Sequence, residues 1–115
     1  MLKLKVFDHN DYESRLAFNQ ELMTLVASEF IKEATALMVM LQNHLEAQDW
    51  HQFELVSHRL KGAALEVSGY RLCELIEAMK LHLSQSNSDL LVKSVQALAE
   101  ELDALALSLQ QEILL

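Results

Sequence analysis

The 115-residue chain contains no proline and only two glycines, Gly62 and Gly69. These two residue types are the strongest local breaks in regular structure. A chain with so few of them has few places to turn. It is therefore expected to form a small number of long helices rather than many short strands. Its residues are 51% apolar, enough for a buried core. The length suits one domain, expected to span residues 1–115.

Side chains that can cap helices divide the chain. Asn10 with Glu13 reads as a capping-box variant opening a short helix that ends near Ala17. Asn19 caps a longer helix with the apolar stripe Leu22, Leu25, Val26, Phe30, Ala34, Leu37, Leu41 and Leu45. After a break near Gln48, Asp49 with Gln52 opens a third helix expected from Trp50 to about Val67. Ser68-Gly69 ends it, with Gly69 expected in the left-handed conformation. A fourth helix is predicted from Tyr70 to Leu83, turning Leu72, Leu75, Ile76, Met79 and Leu83 inward. The loop Ser84–Ser88 leads to a last helix over Asp89–Ile113. Its stripe, Leu91, Val95, Leu98, Leu102, Leu105 and Leu109, has the alternating four-three spacing of bundle packing. The expected fold is all-α: an antiparallel four-helix bundle with a short extra N-terminal helix.

Several function classes are disfavoured. The net charge is -8, so there is no basic excess for nucleic acid. No apolar stretch approaches the roughly 20 residues of a membrane span, and the start resembles no signal peptide. The chain is read as cytoplasmic and, from its initial methionine and full set of helices, as stand-alone. Cys73 is the sole cysteine, expected to be a small buried hydrophobe. Trp50 is expected to cover the bundle end, and Met38 and Met40 to fill packing gaps. His9 and His82 have no partner that sequence can identify.

The third helix is the informative one. Phe53, Val56, Leu60, Ala63, Ala64 and Val67 cluster on one face at about 100° per residue. His58 falls opposite that stripe, with His51, Gly62 and Leu65, and with Glu54 and Leu55 at its flanks. His58 is therefore predicted to face solvent. Gly62 stands one turn beyond it, and a glycine inside a helix costs about 1 kcal/mol relative to alanine. Its absent side chain clears one flank of the imidazole for something to approach. Leu55 and Leu65 admit two readings: a docking patch beside His58, or a helix more buried than the wheel implies. Lys61, three residues from His58, is placed to offset negative charge arriving there. Neutral imidazole is nucleophilic near pH 7, which suits it to carry a phosphoryl group.

The run Ser57-His58-Arg59-Leu60-Lys61-Gly62-Ala63-Ala64, with Gly69 and Leu72 further on, resembles the signature of histidine-containing phosphotransfer (HPt) domains. That pattern is a histidine, two residues, Lys-Gly and two small residues. The family fold is an antiparallel four-helix bundle with the histidine mid-helix on its outer face. The resemblance implies that His58 is the phosphoacceptor, Lys61 the charge partner of the phosphoryl group and Gly62 the clearance residue. Ala63 and Ala64 would let neighbouring helices pack close. Relatives often carry Gln on the following helix near the histidine; Lys80 occupies that position here. It either adds a second positive charge at the site or points into solvent. Glu54, Leu55 and Leu65 would contact the partner.

The implied activity is that of a phosphorelay carrier. His58 takes a phosphoryl group from a receiver-domain aspartate and passes it to the aspartate of another receiver. The partners would be the receiver domain of a hybrid sensor histidine kinase, a response regulator, or both. Mg²⁺ is expected on the receiver, and no cofactor on this chain. Nothing resembles a P-loop or a kinase glycine-rich loop, so no kinase or ATP-binding activity is expected. The rival reading is a helical docking protein, or pseudo-carrier, without phosphotransfer. His44, His51 and His58 recur every seven residues, but helical metal pairs are three or four residues apart, so no metal site is expected. A monomer is expected, with dimerisation through Leu105 and Leu109 the alternative.

Overall fold

The computed structural model describes residues 3–115; the readings of the chain start that involve Met1 and Leu2 lie outside them. The described residues form five helices and no strand: α1 (His9–Arg15), α2 (Gln20–Ala47), α3 (Trp50–Glu66), α4 (Tyr70–Ser84) and α5 (Ser88–Glu112). Each long helix packs on its sequence neighbour, and α5 closes the ring against α2. The result is the expected four-helix bundle with a short N-terminal helix. No helix among the described residues is long and apolar enough to cross a membrane.

The caps at Asn19 and Asp49 fall where expected, accepting from the backbone N–H of Leu22 and Gln52. Between α2 and α3, Gln48 takes a left-handed conformation that reverses the chain. The stripes predicted for α3 and α5 are buried throughout. Leu105 and Leu109 are fully enclosed in that core, so they present no surface for dimerisation.

Five expectations are corrected. The first helix is capped by Asp8 instead of Asn10, because the Asp8 carboxylate accepts from Asp11 N–H while its own N–H donates to Ser68 O. It also ends at Arg15, since Ala17 and Phe18 both turn left-handed. At the start of α2, Met23 and Ala27 face inward while Leu22 and Leu25 are exposed. Farther along, Met38 is buried but Met40 is exposed. At the α3–α4 turn, Ser68 is the left-handed residue, with φ 57°, and Gly69 has an ordinary φ of -89°. Gly69 is instead required by close packing: a Cβ there would lie 2.6 Å from Leu105 Cδ2.

The α1 helix is locked to the α3–α4 turn by polar contacts. Asp11 accepts from the hydroxyls of Ser68 (2.7 Å) and Tyr70 (2.5 Å), and Arg15 donates to Leu65 O (2.7 Å) and Ser68 Oγ (2.9 Å). These hydroxyls, Tyr70 first, hold the Asp11 carboxyl below its usual range. At the chain ends, His9 bonds Glu112 at 2.9 Å and lies 3.1 Å from Glu13, partners that the sequence did not identify. Tyr12 is fully buried and donates to Met23 O at 2.6 Å.

Burial pushes the Tyr12 phenol up to about 12, and donation to Asp11 raises that of Tyr70. A raised folded-state pKa means that Tyr12's contribution to stability is complete below its ordinary value of 10.0. It is lost as pH climbs from there toward about 12. The chain has only these two tyrosines. Phenolate absorbance at pH 10 should therefore stay well below that of the denatured chain, and equal absorbance would show that neither hydroxyl is held as described.

Candidate functional site

The site is built on α3. Its inner face is anchored by Phe53, Val56, Leu60, Ala63 and Ala64, all buried, so the opposite face is committed to solvent. His58 stands mid-helix on that face and is exposed, as are His51, Glu54, Leu55, Gly62 and Leu65. Ser57, on the inner side, satisfies its hydroxyl on Glu54 O. The rigid core thus fixes the direction in which His58 projects.

A shallow groove of about 280 Å³ runs beside the imidazole, lined by His51, Glu54, Leu55, His58 and Lys80. It meets a larger cleft at the bundle end, about 460 Å³, with Trp50, Leu83 and Leu91 among its apolar walls and His51 and Glu54 shared. Trp50 is partly buried there, edge-on to Phe53. Lys80 lines the groove together with His58.

Lys61 is engaged by a neighbour from the next helix. Its ammonium does not line the groove but donates to Glu77 Oε1 on α4 at 2.6 Å. Lys80 donates to the same oxygen at 3.0 Å. These two lysines, Lys61 first, hold the Glu77 carboxyl below its usual range. Sequence reasoning missed Glu77. Its spacing of three from Lys80 was a visible charge-pair signal, but its partner Lys61 comes from another helix.

Gly62 is exposed, and a Cβ built on it would meet nothing within 4 Å. No packing contact requires a glycine there. Leu55 and Leu65 are 47% and 40% exposed, so neither is covered by the bundle as the more buried reading required. Leu65 lies outside the groove, nearly two turns beyond His58, where its carbonyl accepts from Arg15. Cys73 is buried, its thiol pushed up by burial and donating to Lys61 O. Among the described residues, no group of three or more His, Cys, Asp or Glu side chains is placed to hold a metal ion.

The family model for the Hpt domain matches residues 26–108, well over half of the chain. The chain belongs to the Hpt domain family. Comparison with curated proteins and with solved structures found no match. The matched span runs from α2 through most of α5 and contains the whole α3 face and α4. Membership implies histidine phosphotransfer in a phosphorelay, by a phosphocarrier that works with receiver domains rather than by a kinase. The Hpt domain places its chemistry on a histidine. Of the five histidines here, His58 stands mid-helix on α3 within the His-x-x-Lys-Gly run.

Proposed function

We propose that His58 is the phosphoacceptor, and that the chain, acting as one bundle over residues 1–115, carries a phosphoryl group between receiver-domain aspartates. The observation that carries this reading is the exposed mid-helix His58, with open space at Gly62 on one side and the Lys80-lined groove on the other. In the transfer, the lone pair of a neutral imidazole nitrogen attacks phosphorus. The N–P bond forms as the P–O bond to the receiver carboxylate breaks, and that carboxylate leaves with the bonding electrons. Passage to the next aspartate is the same exchange in reverse.

The partners are the receiver of a hybrid sensor histidine kinase, a response regulator, or both, and the receiver supplies the Mg²⁺. Leu55 and Leu65 give the partner apolar contact, with Glu54 at the rim of the groove. Gly62 lets the receiver approach, while Lys61 and Lys80 supply positive charge to the phosphoryl oxygens. The carrier works as a cytoplasmic monomer, with no cofactor and no nucleotide of its own.

The test is to incubate the protein with receiver domains charged by radiolabelled acetyl phosphate. Acid-labile, base-stable label on the chain is the expected result. Absence of label from a broad panel of receivers, with helical content intact, would leave a docking protein without phosphotransfer.

A further inference from the structure

Glu77 belongs to no role described so far, yet it joins the two lysines that flank the site. Lys61 comes from α3 and Lys80 from α4, and both donate to one oxygen, Glu77 Oε1. The cluster carries two positive charges and one negative, so a net single positive charge stands beside the His58 groove. Glu77 is about half exposed, and among the described residues no hydrogen bond other than these two involves its carboxylate. Its side chain is therefore free to release either lysine without breaking a packed contact.

A phosphoryl group on His58 brings about two negative charges and three acceptor oxygens to the same groove. Lys80 already lines that groove, and Lys61 lies one turn from His58 on α3. The phosphoryl oxygens and the Glu77 carboxylate then compete for the same ammonium groups. We propose that Glu77 is a positioning residue that holds Lys61 and Lys80 while His58 is free and competes with the phosphoryl group for them afterwards. This lowers the share of phosphoryl group that His58 retains and favours its onward passage. The inference rests on His58 being the phosphoacceptor. The depressed Glu77 carboxyl accords with it, because the carboxylate stays charged at neutral pH and competes at full strength.

The mechanism has a sign. If Glu77 served only to organise the lysines for the phosphoryl group, removing its charge would weaken phosphohistidine. If it competes for them, removing its charge strengthens phosphohistidine. The experiment equilibrates the protein with a receiver domain charged by radiolabelled acetyl phosphate, after excess phosphodonor is removed, and reads the ratio of label on the two proteins. Glu77→Gln should raise the ratio in favour of the carrier about fivefold at low ionic strength, the size of one charge acting across a partly hydrated site. In a Lys61→Ala/Lys80→Ala background the same Glu77→Gln change should have no effect, since it acts through those lysines. Circular dichroism of each variant checks that the bundle is retained.

An unchanged or lowered ratio in Glu77→Gln overturns the proposal. An equal fold-change with and without the lysines overturns it too, because the effect would then not pass through them. Failure of the wild-type protein to take label overturns the phosphoacceptor assignment, and the inference with it; label at equal ratios on wild type and variant removes the role of Glu77 alone.

Discussion

A His58→Gln variant will take up no phosphoryl group from a charged receiver and will unfold at nearly the wild-type temperature. The two halves of this expectation come from different parts of the structure. The chemistry fails because an amide offers no nucleophilic nitrogen, whereas a neutral imidazole does. The fold survives because His58 is on the solvent face of α3 and the core is built by Phe53, Val56, Leu60, Ala63 and Ala64 on the other side. Glutamine is also a somewhat better helix former than histidine. The change in stability should be within about 0.5 kcal/mol, as for most surface substitutions. Label transfer and thermal unfolding, measured on one preparation, check both halves. Retained label would move the assignment to His51, the other exposed imidazole of the groove. Lost label with a collapsed fold would show instead that His58 holds the helix together.

Much of this arrangement was legible in the sequence because it is local. Asn19 and Asp49 cap their own helices through the N–H three residues on, a relation fixed by sequence spacing. The α3 stripe places His58 outward by helical period alone, and the α5 stripe is buried at every predicted position. Several of the errors fall where distant segments meet. Asp8 outcompetes Asn10 as a cap because its N–H finds Ser68 O, a contact sixty residues away in the chain. Gly69 looked like a helix terminator, but the pressure on it comes from Leu105 across the bundle. Ser68 can take the left-handed position because its hydroxyl is satisfied by both Asp11 and Arg15 from α1. At the site, Lys61 stands one turn from His58 by sequence spacing alone. Its engagement by Glu77 depends on the registration of α4 against α3, which no single-helix pattern contains.

Exchanging Gly62 for a larger residue is expected to stabilise the protein while impairing phosphotransfer, and the opposite signs make the test discriminating. In the interior of an exposed helix, Gly62→Ala should add about 1 kcal/mol of stability, the usual difference in helix propensity. Nothing opposes that gain, since the added Cβ has no neighbour within 4 Å. Gly62→Gln should keep most of it, because glutamine is also a good helix former and its side chain can extend into solvent. If glycine were retained for packing, both variants would be destabilised, as expected at Gly69, where a Cβ would press on Leu105. Under the proposed function, the open space at Gly62 is left for the receiver. A side chain one turn from His58 would fill the volume through which the receiver brings its aspartyl phosphate. A displacement of about 1 Å in the reacting groups can cost on the order of 100-fold in rate. Transfer to Gly62→Gln should therefore fall by at least about tenfold, with Gly62→Ala intermediate. Thermal unfolding and the initial rate of label transfer provide the two readouts. A Gly62→Gln protein that is more stable and transfers at the wild-type rate would mean that the receiver reaches His58 from another side, past Lys80 and Leu55 rather than over α3.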